Sequence, residues 1–238
     1  MANPVLDNGV GSPHSVFSSN ASPAHDPGTV GRLGDDTFVY GLAGAADLAA
    51  GKVTQAAALV ANHVNIVATT ASVAGQNVMV ATLGATLATV GQYNGGKVVV
   101  QDDAGEAYTY RIKDHAAVAS AGVITLNLYD EIQVDTAAAT TLTLHPPTYS
   151  GLVIGATAQT GTFTGVARGI VTAAEYGWFQ TGGICAVLCD EILTIGNMVT
   201  FGSSVAGSVE VLDLLSEAHL GMCVHTSADT EYAAIKLA

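Results

Sequence analysis

The chain has 238 residues and carries seven Lys and Arg against twenty Asp and Glu, a formal net charge of −13. Seven basic residues cannot coat a phosphate backbone, which excludes a nucleic-acid partner, and a 49% hydrophobic content excludes a chain that stays disordered. Charged residues are only 11%, less than half the usual share, and no Glu/Lys/Leu heptads occur, so the composition is that of a neutral, Thr-rich β protein and not of a coiled coil.

Residues 1–36 hold four of the six prolines, Pro4, Pro13, Pro23 and Pro27, with Gly, Ser, Asn and Asp between them. No period of 2 or 3.6 persists there, so the segment reads as an extended arm. It is either a terminus without fixed structure or an arm that orders when laid on a neighbour. In the second case Val5, Leu6, Val16 and Phe17 are its apolar anchors.

Structure is expected from Thr37-Phe-Val-Tyr40, a β-branched and aromatic run. Ala43 to Gly51 is Ala-rich and reads as one or two helical turns closed by Gly51. The stretch 55–90 mixes Ala-rich pieces with the β-rich runs 64–70 and 77–83, and strands are the favoured reading. No charge occurs in the 44 residues between Lys52 and Lys97, but Gln55, Asn62, His63, Asn65, Gln76 and Asn77 interrupt them. No run approaches the ~20 apolar residues of a spanning helix, so no membrane partner is expected. Met1-Ala-Asn-Pro4 lacks the basic and apolar regions of a secretion signal.

Residues 91–149 carry the clearest hairpin. Asn94-Gly95-Gly96 turns into Lys97–Gln101, Asp102-Asp-Ala-Gly105 turns again, and Glu106–Ile112 returns. Val123–Leu128 and Thr141–His145 follow, the latter stopped by Pro146-Pro147. Residues 91–149 read as a β module, inserted into a body formed by 37–90 and 150–238. In the latter part, Tyr176–Gln180, a turn at Thr181-Gly-Gly183, and Ile184–Cys189 lead a series of short strands. Turn signals recur every 8–12 residues or so, the spacing of a sandwich or barrel. The expected fold is mainly β: antiparallel barrel or sandwich modules, an extended N-terminal arm and little helix. One echo is visible: Leu48-Ala-Ala-Gly51 before Val53 resembles Leu193-Thr-Ile-Gly196 before Val199, which suggests two related β units.

Four groups of residues carry side chains of the kinds that chemistry uses. Cys185, Cys189, Cys223 and His225 include the residue types of a zinc site, but Cys-x₃-Cys along a strand separates two thiols by about 13 Å, too far for one metal. Three cysteines are an odd number, which fits reduced thiols in a cytoplasm. The pairs Asp102-Asp103, Asp130-Glu131 and Asp190-Glu191 match no calcium loop and read as solvated turn residues. Gly95-Gly96-Lys97 lacks the rest of a phosphate loop, and no Gly-x-Ser-x-Gly elbow is present. Tyr176 and Trp178 share one strand face and Phe179 the other; core packing and a subunit or ligand contact are the two readings. No catalytic residue, cofactor or metal is expected, and a neutral surface with poorly guarded strand edges points to oligomerisation.

The stretches Gly31–Tyr40 with Leu48–Val53, and Glu175–Gly183 with Leu193–Gly196 and Ala228–Leu237, resemble the capsid decoration, or cement, proteins of tailed bacteriophages. The likeness covers residues 31–54 and 172–238 and is a pattern of strands and turns. It implies a non-enzymatic β-rich protein, made in a host cytoplasm and assembled, often as a trimer, on the outer surface of the virion. There it would bind the major capsid protein and clamp neighbouring subunits, with Val5, Leu6, Val16, Phe17, Tyr176 and Trp178 as contact residues. On this reading, deleting residues 1–30 leaves the fold intact and weakens attachment. A head-fibre or tail-associated adhesin, with Trp178 stacked on a host surface glycan, is the alternative. A secreted β-rich hydrolase is the third reading.

Overall fold

The computed structural model describes residues 16–214 and 216–238. The protein is nearly all β, with 42% of residues in strands and no helix of seven residues among those described. It divides into two compact units, residues 1–58 with 149–238, and residues 59–148. The chain opens with β1 (Val30–Leu33), β2 (Asp36–Ala43) and β3 (Val53–Gln55). The second unit supplies β4 (Ile66–Ala68), β5 (Val78–Thr82), β6 (Lys97–Asp102), β7 (Thr109–Asp114), β8 (Val123–Leu128) and β9 (Thr141–His145). The first unit resumes with β10 (Ser150–Ile154), β11 (Phe163–Ala167) and β12 (Tyr176–Leu188). It ends with β13 (Met198–Phe201), β14 (Val209–Val211), β15 (Gly221–Cys223) and β16 (Tyr232–Leu237).

In the first unit, β2, β12, β11, β3 and β10 form a ring that returns to β2. Only the β10–β2 contact is parallel. Ala43, Leu48, Leu152, Ala167, Val171 and Phe179 form a core in this ring. The second half of β12 starts another ring, β12-β16-β15-β13-β14, with antiparallel contacts. The parallel bridge Cys189–Val209 returns β14 to the end of β12. Val187, Leu193, Val199, Val209 and Ile235 are among the residues that fill this part. Taken in chain order, the two rings have the same strand order and the same direction at every contact. The second unit is a closed antiparallel barrel, β4-β5-β8-β7-β6-β9. Its β5-β8-β7-β6 segment repeats the order of β2-β12-β11-β3.

A shared turn device supports this equivalence. Leu48 with Val171, Ala88 with Val118, and Leu193 with Ser227 form isolated antiparallel bridges. Each pair exchanges both backbone hydrogen bonds, at 2.8–3.1 Å. Three residues beyond each bridge residue the backbone has positive φ, at Gly51, Ala174, Gly91, Ala121, Gly196 and Thr230. The next N–H then donates back across the turn, as from Gln92 to the Thr89 carbonyl and from Asn197 to that of Thr194. In every ring one turn joins the first two strands of the equivalent set and the other joins its last two. The fold therefore holds three copies of one motif, two of them in the first unit. Residues 59–148 occupy the place in the chain where the third copy has the loop 202–208.

Several local expectations are revised. Ala43–Gly51 is not helical, because the Leu48 N–H and carbonyl are both held by Val171. Thr181-Gly-Gly183 is not a hairpin turn: β12 runs straight through it, with a register shift between Gln180 and Gly182. Gly183 has φ +86°, and a Cβ there would lie 2.2 Å from Asp36 Oδ1, so the irregularity requires glycine. The stretch 55–90 contributes β4 and β5 to the barrel, with one 3-10 turn at Ala61–His63.

Candidate interaction surface

The alternation of a strand sends Phe179 into the first ring and Trp178 out of it. Trp178, Phe38, Tyr40 and Val16 form a separate buried cluster, with Leu33 and Tyr176 at its margin. The arm builds this cluster by lying across the outer face. Asn20 exchanges both backbone hydrogen bonds with Tyr176, at 3.0 and 2.9 Å. The Ala24 N–H donates to Tyr40 Oη at 3.1 Å, and the Gly28 N–H donates to the Tyr40 carbonyl at 2.7 Å. His25 stands edge-on to Tyr40 and tilted to Trp178, with ring centroids 5.4 Å apart in both cases. The Ser19 hydroxyl donates to Glu175.

The chain itself therefore covers two of the expected contact residues: Val16 is 2% exposed and Trp178 is 3% exposed. Tyr176 is partly buried. Phe17 is 52% exposed, with the Arg168 guanidinium 4.9 Å from its ring centroid. Val5 and Leu6 lie outside the described residues. Deleting residues 1–30 would remove Val16 and the backbone partners of Tyr40 and Tyr176, and would uncover Phe38, Tyr40 and Trp178.

Arg168 also pairs with Asp36, Nη1 to Oδ2 at 3.2 Å, beside the irregularity in β12. Gln180 Nε2 donates to Asp36 Oδ1 and to the Gly182 and Ile184 carbonyls at 3.0–3.2 Å. Burial raises the Asp36 carboxyl above its ordinary value, against the opposing pull of Arg168. This group fastens β2 to β12 where the two rings of the first unit share a strand.

Most of the thiol, histidine and carboxylate groups singled out in the sequence make contacts within the fold. Cys185 and Cys223 each pair with Ile235, one on either side, which sets them two strands, or roughly 9.5 Å, apart. Burial pushes the Cys185 thiol up to about 12 and also raises that of Cys189. Cys223 Sγ donates to the His225 carbonyl at 2.8 Å, and His225 Nδ1 accepts the Ala234 N–H at 3.3 Å. Among the described residues, no three His, Cys, Asp or Glu side chains are grouped to hold a metal ion. Asp190 Oδ2 accepts the Ser204 and Val205 N–H groups, and Glu191 accepts that of Val211. Asp130 accepts the Arg111 N–H. These carboxylates hold loops against strands.

The second unit contains a buried polar chain that the sequence did not reveal. His63 Nε2 donates to the Thr86 carbonyl at 3.0 Å, which fixes the tautomer, so Nδ1 accepts the Tyr93 hydroxyl at 2.5 Å. Gln92 Nε2 donates to the same hydroxyl at 3.3 Å. His115 Nδ1 donates to the Ala116 carbonyl, and Nε2 accepts the Tyr93 N–H at 3.1 Å. Burial pushes the Tyr93 phenol up to about 12. Every ring nitrogen of both histidines is engaged within the barrel.

What the surface does offer is apolar. Leu87 and Val90 stand exposed around the Ala88 turn, Ile192 and Ile195 around the Leu193 turn, and Ile170 beside Val171. No helix among the described residues is long and apolar enough to cross a membrane. Comparison with protein-family models, curated proteins and solved structures finds no match to the chain.

Proposed function

We propose that the chain is a non-enzymatic structural protein that binds the outside of an icosahedral phage capsid and stabilises contacts between major capsid subunits. The observation that carries this reading is the contrast between its polar and apolar residues. His63, His115, His225, Cys189, Cys223, Asp130, Asp190 and Glu191 are engaged in internal hydrogen bonds, while large aliphatic side chains stand exposed at turn tips and on strands. Such a surface is suited to contact with another protein. The resemblance of residues 31–54 and 172–238 to capsid decoration proteins supplies the identity of the partner. The glycan-binding alternative loses its aromatic platform, because Trp178 lies beneath the arm.

The test is co-sedimentation of the purified chain with heads of the phage that encodes it. The expected result is saturable binding at symmetric sites on the shell, weakened by removal of residues 1–15 with the fold unchanged. Absence of head binding by the full chain would overturn the reading.

A further inference from the structure

In the third copy of the motif, outward and buried residues alternate along the second half of β12, β16 and β15, and Met198 at the start of β13 continues the outward set. Ile184 stands opposite Lys236, Lys236 opposite Met222, and Met222 opposite Met198. The neighbouring rungs are Ala186 opposite Ala234 and Leu188 opposite Tyr232. Ile184, Met198, Met222 and Tyr232 are 50, 55, 43 and 52% exposed. Lys236 is the one charge among these eight residues, and its stem can lie flat along apolar neighbours.

The motif equivalence says what kind of face this is. In the first copy the matching rungs are Leu42 with Tyr176, Tyr40 with Trp178, and Phe38 with Gln180, and residues 16–29 cover them. In the third copy Ala186 and Ala234 replace the two large aromatics, which puts small side chains between Tyr232 and the row of Ile184, Lys236 and Met222. The chain thus binds a segment of itself on one copy of this face, whereas among the described residues no segment is laid on the corresponding face of the third copy.

We propose that this open face is the surface through which a second copy of the chain binds. The inference rests on the reading of the chain as an assembling protein. Its exposed area is on the order of 600 Å² per copy, so two copies could bury up to about 1,200 Å², at the lower end of the range of specific interfaces. Charge favours self-association at this place. Two chains at −13 repel over most of their surfaces, and these eight residues include no Asp or Glu. Glu231, next to Tyr232, gives the rim an acid for Lys236 of the second copy.

Native mass spectrometry and sedimentation of the full chain test this, alongside the Ile184→Glu/Met222→Glu and Lys236→Glu variants and a chain lacking residues 1–15. The wild type is expected as an oligomer at micromolar concentration. Both face variants should sediment as the 24.0 kDa monomer with unchanged Trp178 emission, an association at least tenfold weaker, and the truncated chain should keep the wild-type oligomeric state. A monomeric wild type overturns the proposal, as does a folded Lys236→Glu chain that keeps the wild-type mass, or dissociation caused by removing residues 1–15 alone. A monomer that still binds heads overturns this inference and spares the capsid reading; an oligomer that ignores heads does the reverse.

Discussion

Val16→Ala is the sharpest probe of the arm. The substitution deletes two methyl groups from a side chain enclosed by Phe38, Tyr40 and Trp178. Each methyl removed from such a site costs about 0.8 kcal/mol in transfer, and the partly relaxed cavity adds to it, for a total of about 2 kcal/mol. In a unit of this size that lowers the melting midpoint by roughly 4–8 °C. Trp178 is the only tryptophan in the chain and lies in the same cluster, so its fluorescence reports arm docking directly. Thermal and urea unfolding of Val16→Ala, followed at Trp178, should show the lower midpoint. Removal of residues 1–29 should shift the emission to the red. An unchanged midpoint in Val16→Ala, or an unshifted emission on removing residues 1–29, would refute the packing described for the arm.

Tyr93→Phe leaves His63 Nδ1 buried without its donor and should destabilise the second unit by about 1–3 kcal/mol, read as an earlier circular-dichroism transition; an unchanged transition would show that the hydroxyl is dispensable. Because the folded phenol is pushed up to about 12 from an ordinary 10, the folded state holds this proton more tightly. Its contribution is complete below pH 10 and is lost as pH rises toward 12, so alkaline unfolding should be less steep in Tyr93→Phe than in the wild type, and equal slopes would contradict the assignment. Gly183→Ala introduces a Cβ against Asp36 Oδ1 in a left-handed conformation and should cost at least about 2 kcal/mol; a chain as stable as the wild type in urea would refute the role given to that irregularity. All three thiols are buried, so a thiol reagent at pH 8 should label the native chain only at its opening rate. Rapid labelling of Cys185 would contradict its placement.

The sequence made the β class legible because its alternation is clean where one strand face is buried, as in Thr109–Asp114, where Tyr110 and Ile112 point inward. The Asn94-Gly95-Gly96 and Pro146-Pro147 punctuation was equally readable. The repeat was visible only at Leu48–Gly51 and Leu193–Gly196, where glycine occupies the positive-φ position. In the partner turn of each copy that position is Ala174, Ala121 or Thr230, residues that carry no turn signal, so the bridge partners were hidden. Ala43–Gly51 suggested helix because alanine favours it locally, and the backbone pairing of Leu48 with Val171 overrides that preference. Thr181-Gly-Gly183 suggested a hairpin for a related reason: glycines mark an irregular strand as readily as a turn. The aromatic pair Tyr176 and Trp178 was recognised, but which side of it faced solvent depended on a contact with Val16 more than 150 residues away, which no local pattern encodes. The open face of the third copy was missed because it needs the order of four strands.

The central claim is tested most directly by electron cryomicroscopy of phage heads saturated with the purified chain. The account predicts added density on the outer surface of the shell at symmetry-related positions, contacting neighbouring major capsid subunits, into which the barrels fit with the arm in contact with the shell. Density confined to a tail or head fibre, or a shell unchanged from undecorated heads, would contradict it.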